Sequence, residues 1–331
     1  MRCASWPRAE RRRQWLPRLA LFAAALVAGL MVGARAASQD EARPARFELK
    51  PIAPGVFVHE GRQEESAAAN RGDIANLGLV VGRRCAAAID SGGSLAVGRD
   101  FVAAIRRVTD LPVCVLINTH AHPDHVLGNA AFAEAWPTLD IVGHARLPAA
   151  LAARGPAYLH ALARDLGPVA EGSRIVTPTV TVVDRGRIDL GGRTLALRAW
   201  PTAHTDCDLS VRDEPSDTLF TGDLLFVERI PALDGSLDGW LGVLAALREP
   251  VPAHVVPGHG AVDAPWRAAL DREAGYLGLL RDEAGAALDA GRGLGATLAA
   301  ELPEAARQWR LAPLYHRRNL TAAYAELEWS R

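Results

Sequence analysis

From residue 47 to about residue 260, short β-branched apolar runs alternate with Gly, Pro, Asn and Asp, the rhythm of strands and turns. Residues 47–52 and 56–59 alternate on either side of Pro54-Gly55, and residues 74–81 and 84–89 flank Gly82-Arg83. Residues 95–108 switch to helical spacing and predict an amphipathic helix lying on a sheet. Residues 111–118 then read as a buried strand. Helices are predicted over 130–136, stopped by Pro137, and over 144–154, with a strand at 139–142 between them. A helical insert between Pro156 and Pro168 should leave His160 in solvent. Strand patterns return at Ile175 and over 179–183, 187–190 and 194–200, with Gly186 and Gly191-Gly192 at the turns. Trp266, Leu270, Leu277 and Leu280 mark one face of a long helix over 264–290, and a last helix is predicted over 321–329. Strand runs interleaved with helices place the chain in the mixed α/β (α+β) class.

The first 36 residues follow another pattern. Arg2, Arg8, Arg11, Arg12, Arg13 and Arg18 surround the start of an uncharged apolar run over 19–32, short for a bilayer span. Ala34-Arg35-Ala36 is a small-x-small cleavage site. Residues 1–36 therefore read as a signal peptide, 37–46 as a polar linker and 47–331 as one globular domain. The expected location is the periplasm, with no stable membrane span after cleavage. Arg12-Arg13-Gln14-Trp15-Leu16 resembles a twin-arginine export signal with Trp where Phe is usual, so that route and ordinary secretion both stay open. A formal charge of −1 over 331 residues argues against nucleic acid as a partner. Cleavage would leave Cys85, Cys114 and Cys207, an odd number that excludes full pairing. Cys85 and Cys114 fall in predicted strands and read as small apolar core residues, so no disulfide is expected.

Candidate chemistry is concentrated in Thr119-His120-Ala121-His122-Pro123-Asp124-His125, directly after the 111–118 strand. Histidines two apart on extended backbone project to one side. Pro123 ends that run, so Asp124 and His125 can turn toward a second point, and one loop can serve two metal ions. Further along, His204, Asp223 and His259 each stand just after, or at the end of, a predicted strand, and Asp90-Ser91-Gly92-Gly93 ends another.

The order His-x-His-x-Asp-His, followed by His204, Asp223 and His259, resembles the metallo-β-lactamase fold superfamily. That resemblance implies a four-layer αββα sandwich. It assigns His120, His122 and His204 to one metal and Asp124, His125 and His259 to a second, with Asp223 bridging. Asp90 would sit beneath and orient the ligand loop. Two zinc ions are implied, and the all-nitrogen-and-oxygen donor set leaves iron or manganese open. The expected reaction is attack of metal-activated hydroxide on a small ester, thioester or amide, with Asp124 orienting the nucleophile and passing protons. Zinc β-lactamases usually carry Cys or Ser near the bridging position, whereas glyoxalase II-like hydrolases carry Asp. A β-lactamase, a glyoxalase II-like thioesterase and a mononuclear iron sulfur dioxygenase remain alternatives. Cys207, three residues beyond His204, is expected to be an inert packing residue.

Three further segments resemble the quinoprotein relay system zinc metallohydrolases. They are Glu64-Glu65 through Asn70-Arg71-Gly72-Asp73-Ile74-Ala75-Asn76, Arg229-Ile230-Pro231 with Asp234-Gly235-Ser236, and Leu314-Tyr315-His316-Arg317-Arg318-Asn319. This implies association with a periplasmic pyrroloquinoline quinone (PQQ)-dependent dehydrogenase system, either as a hydrolase or as a non-catalytic accessory protein. Asn70, Arg71, Arg229 and His316 are the candidate contacts to a small-molecule substrate. His316 is expected at the rim of the metal site, where Arg-rich neighbours suit an acidic ligand.

Overall fold

The computed structural model describes residues 47–331; the signal peptide expected over 1–36, its cleavage site and the linker over 37–46 lie outside the described residues. The first sheet begins with β1 (Lys50–Ala53), β2 (Val56–His59), β3 (Leu77–Val81) and β4 (Ala86–Ile89), an antiparallel meander. Helix α1 (Leu95–Val108) crosses to β5 (Val113–Ile117), which runs parallel to β4. The short helices α2 (Pro123–Val126) and α3 (Asn129–Ala135) lead to β6 (Asp140–His144), and α4 (Leu147–Leu166) leads to β7 (Val180–Val182), all parallel. The second sheet holds β8 (Arg185–Asp189), β9 (Thr194–Ala199), β10 (Leu209–Asp213) and β11 (Thr218–Phe226), and α5 (Leu237–Leu247) connects it to β12 (His254–His259). The strand orders are β1 to β7 in sequence order, and β12-β11-β10-β9-β8. Four helices follow: α6 (Trp266–Asp289), α7 (Leu294–Leu298), α8 (Glu304–Arg307) and α9 (Ala312–Trp329).

Three apolar layers hold these elements together. Val56, Val58 and Val115 of the first sheet meet Leu197, Val211 and Phe220 of the second to fill the space between the sheets. Leu116, the neighbour of Val115 in β5, points the other way and packs with Phe101, Ile105 and Phe132 of α1 and α3. Both faces of β5 are therefore covered, which is why its sequence is apolar throughout rather than alternating. Outside the second sheet, Trp240, Leu277, Leu280 and Leu320 bring α5, α6 and α9 onto β11 and β12. Each fully buried side chain of this size contributes about 1.5–3 kcal/mol. The result is the four-layer αββα sandwich.

Several local expectations need correction. Cys85 and Cys114 form a disulfide, with Cα atoms 5.8 Å apart. The parallel pairing of β4 with β5 skips one residue between Val113 and Val115, and that irregularity brings residue 114 beside residue 85. His144 ends β6 rather than opening a helix, and its ring accepts from the Arg146 N–H at 3.0 Å. Helix α4 runs through Pro156 because Pro156 and Ala152 face solvent, where water can satisfy the freed carbonyl. Ile175 lies outside any strand. β10 and α5 had no expected counterpart. Helix α9 starts at Ala312, with Pro313 in its first turn, so residues 315–319 are helical rather than a loop before a helix. No helix among the described residues is long and apolar enough to cross a membrane.

Candidate metal centre

The strand ends of both sheets meet at one edge of the sandwich. His120 and His122 follow β5, Asp124 and His125 begin α2, His204 follows β9, Asp223 lies in β11 and His259 ends β12. Seven side chains from distant positions form two adjoining groups. His120, His122, His204 and Asp223 make one, and Asp124, His125 and His259 the other, with donor atoms in each group within 4.8 Å of one another. Asp223 reaches across: its Oδ1 lies 3.1 Å from His125 Nε2, and its Oδ2 lies 3.4 Å from His259 Nε2 and 3.5 Å from His204 Nε2. Asp124 Oδ2 is 3.2 Å from His259 Nε2.

Backbone choices make this approach possible. A Cβ on residue 258 would sit 1.9 Å from Asp223 Oδ1, so only glycine fits beside the carboxylate. Gly222 has φ +54° and passes so close to Thr119 that a Cβ would meet its side chain at 2.6 Å. Asp90 also takes a left-handed backbone, φ 57°, which Asp tolerates better than most residues.

The back of each ring is held as well. Asp90 accepts from the Thr119 N–H and Oγ1–H at 2.8 Å each and contacts His125 Nδ1 at 2.7 Å, tying it to the 119–125 loop. Thr119 Oγ1 is 3.0 Å from His120 Nδ1, and the Ile74 carbonyl accepts from His259 Nδ1 at 2.7 Å. His122 Nε2 lies 3.1 Å from Asp234 Oδ2, which also accepts from Arg154 at 2.8 Å. The His204 ring is instead packed edge-on against Trp240, with centroids 5.1 Å apart.

Burial and charge set the protonation states. Burial lowers the His120 ring well below 6.5 and His125 adds to this, while burial and His122 bring His204 down to about 3. Burial also opposes charge on His125, but Asp223, Asp90 and Asp124 outweigh it and raise the ring well above its ordinary value. His259 is raised likewise, chiefly by Asp223 working against burial. Asp124 and Asp223 resist the upward push of burial because His125 and His259 hold them far below the usual carboxylate range. His120 Nε2, His125 Nε2 and Asp223 Oδ1 are buried without a hydrogen-bond partner, the state expected of atoms shaped for a divalent cation. The donor set fits divalent metal binding.

A cavity of about 400 Å³ opens above the cluster, with His122, Asp124, Asp223 and His259 in its floor and Arg229, Tyr315 and Arg318 in one wall. Arg154 and Tyr158, one turn apart on α4, also line the cavity. Arg229 is 5 % exposed and donates to the Glu64 carbonyl and to Tyr315 Oη at 3.1 and 3.2 Å. Arg154 is paired with Asp234, whereas Arg318 makes no ion pair among the described residues.

The profile described as Metallo-beta-lactamase superfamily matches residues 70–259, more than half the chain, and contains Asp90 and all seven clustered residues. The chain belongs to the metallo-beta-lactamase superfamily. No curated protein matches it. Among solved structures it is similar to a double mutant of the sec-alkyl sulfatase PisA1, with a TM-score of 0.66 and 16% identity over 85% of this chain and 50% of that one. The inverting sec-alkylsulfatase Pisa1 from Pseudomonas sp. gives 0.65 and 16% over 84% and 49%, so the chain spans about half the length of these sulfatases. A metallo-beta-lactamase from Pontibacter korlensis gives 0.56 and 20% over 70% of this chain and 98% of that one. These likenesses establish the fold. Its buried His/Asp cluster is thus the candidate metal site of a metallo-beta-lactamase superfamily chain.

Within this superfamily fold, three of the four expected substrate contacts lie elsewhere. Asn70 is buried and closes its own loop, accepting from the Ala67 and Gly72 N–H groups and donating to the Glu65 carbonyl. Arg71 pairs with Asp100 of α1, away from the cavity. His316 is 3 % exposed and faces α6, with Tyr276 Oη 3.3 Å and Glu283 3.2 Å away. Because residues 315–319 are helical, successive residues point in different directions, and Tyr315 and Arg318 take the cavity wall in its place. Arg229 alone of the four lines the cavity. Arg154, Tyr158 and Asp234 were not expected as site residues. Asp234 stood in a quoted motif, but nothing local tied it to His122, 112 residues earlier. Cys207 is fully buried, with burial pushing its thiol up to about 12, in keeping with an inert packing role.

Proposed function

We propose that this chain is an exported dinuclear metallohydrolase that cleaves a small ester, thioester or amide bearing an acidic group. The observation that carries the reading is the sharing of Asp223 between two His/Asp groups at the floor of one cavity. His120, His122 and His204 would hold one ion, Asp124, His125 and His259 the other, and Asp223 both, with zinc favoured and iron or manganese also suited to these donors. A bound pair of divalent ions supplies Lewis acidity, lowering the pKa of water toward neutrality and polarising the scissile bond. Asp124, its side chain 14 % exposed at the cavity floor, is the carboxylate placed to orient water and move a proton. Arg229 and Arg318 would bind the acidic group of the substrate, and Asp90 and Asp234 keep the His125 and His122 rings turned toward the centre.

Export is supported by the basic, apolar and small-residue sequence at the N-terminus and by the Cys85–Cys114 disulfide, which suits an oxidising compartment. A role beside a PQQ-dependent dehydrogenase system is supported by the three quoted segments, whose Glu65, Arg229, Asp234, Tyr315 and Arg318 all line the one cavity. Removing the protein from its cell should then lower the activity of such a dehydrogenase; unaltered dehydrogenase activity discards this part. For the reaction itself, zinc-loaded protein should turn over acidic aryl esters, thioesters or sulfate esters in a screen that includes nitrocefin. Turnover of nitrocefin alone would move the reading to a β-lactamase, a possibility favoured by the near-complete coverage of the Pontibacter korlensis fold. No turnover of any hydrolysable class by fully loaded protein would leave the accessory-protein reading.

A further inference from the structure

Helix α9 lies wholly outside the stretch matched to the superfamily, yet one of its faces runs along the segment that carries Asp234 and Arg229. Three α9 side chains grip that segment in order. Tyr315 Oη accepts from Arg229 at 3.2 Å. Asn319, fully buried, accepts from the Leu233 N–H at 3.0 Å and donates to the Pro231 carbonyl at 2.6 Å. Glu326 accepts from Ser236 Oγ at 2.7 Å and from the Leu237 N–H at 2.6 Å, capping α5 from outside. Positions 315, 319 and 326 are four and seven apart, so they share one helix face. The gripped segment also bonds to the His204 loop, through Asp234 N–H to the His204 carbonyl at 3.1 Å and Ser236 N–H to the Ala203 carbonyl at 2.8 Å. Between these holds, Asp234 reaches His122 Nε2. A carboxylate there accepts the Nε2 proton and leaves Nδ1, 2.9 Å from His204 Nε2, facing the cluster.

We propose that α9 is a working part of the metal centre: Asn319 and Glu326 are positioning residues that hold the 229–237 segment so that Asp234 fixes the tautomer and direction of the His122 ring. The inference rests on the reading of His122 as a metal ligand. Packing alone would not need three polar grips in register with a loop. Tyr276 provides an internal control, because its hydroxyl accepts from Asn319 at 2.9 Å but makes no hydrogen bond to Pro231 or Leu233.

The test uses the full chain, metal-free and cobalt-loaded, with Asn319→Ala, Glu326→Gln, Asp234→Asn and Tyr276→Phe. Nitrogen NMR of the histidine rings in mildly alkaline, metal-free buffer should show His122 protonated on Nε2 in the wild type. In Asn319→Ala and Asp234→Asn both tautomers should appear. One of the two cobalt ions should bind about 10–100-fold more weakly in these variants, with an altered visible spectrum. Tyr276→Phe should lower the melting temperature and leave ring and cobalt readouts unchanged. Asn319→Ala with wild-type tautomer and cobalt affinity, and only a lower melting temperature, overturns the proposal. Should Asn319→Ala not fold, Glu326→Gln decides in the same way through a smaller shift of both readouts. A wild-type chain that binds no cobalt refutes the metal reading, while the His122 tautomer still decides whether α9 acts through Asp234.

Discussion

Two segments face each other across the cluster and are held by opposite means. The His120–His125 loop is fastened by its own neighbourhood: Asp90 holds Thr119 and His125, Ser91 Oγ donates to Asn129 at 2.8 Å, and Asn118 and Asn129 bond each other twice. Every one of those partners lies between residues 90 and 129. The 229–237 segment is fastened by α9 side chains 86 to 90 positions further along the chain. The first arrangement is held chiefly from within one stretch, with Asp234 on His122 and the Leu209 N–H on the Thr119 carbonyl added from outside it; the second makes the carboxylate behind His122 depend on a helix that must dock correctly.

The comparison predicts a graded set of losses. Asp223 serves both groups, so Asp223→Ala should empty the whole centre, which elemental analysis would register as loss of both ions. His259→Ala should cost one ion only, because His120, His122 and His204 remain; survival of both at wild-type affinity would falsify the partition. Asp90→Ala strikes the locally held loop. It leaves the buried Thr119 N–H unpaired, costing about 1–3 kcal/mol, and frees the His125 ring, weakening metal binding about 10–100-fold. Denaturant titration and metal competition would measure the two effects separately.

Glu273 of α6 tests the support behind the sheet. It is fully buried with the Phe226 N–H at 3.2 Å, and burial, with Asp223 adding to it, raises its carboxyl well above the ordinary 4.5. A raised folded-state pKa means that its stabilising contribution is complete below about 4.5 and is lost as pH rises. Glu273→Gln should therefore lose less stability than the wild type between acidic and alkaline pH. A parallel pair of stability–pH curves would contradict this. The smallest effect on the site belongs to His316→Ala, which should lower the melting temperature and leave metal content and KM unchanged.

The same contrast explains what could be read in advance. Helix α1 was legible to the residue, because a 14-residue amphipathic period between a Ser94 cap and the Thr109 end is local information. The seven clustered residues were legible from their order along the chain, which alone carries the resemblance, although Asp223 lies within β11 rather than at its end and Asp124 and His125 lie in α2. His316 was misplaced because the last helix was expected to begin at residue 321, whereas α9 begins at Ala312, so residue 316 is helical and its ring turns into α6. The disulfide was missed because pairing of residues 85 and 114 depends on an irregular register between β4 and β5. Asp234 and Asn319 were beyond reach for the reason that opened the comparison: their partners are distant, and neither lies in a periodic pattern.

The most direct test of the account is anomalous diffraction at the zinc edge from crystals of the zinc-loaded chain. Two peaks are predicted, one enclosed by His120, His122 and His204 and one by Asp124, His125 and His259, with Asp223 between them. A single peak, or none within this cluster, would contradict it.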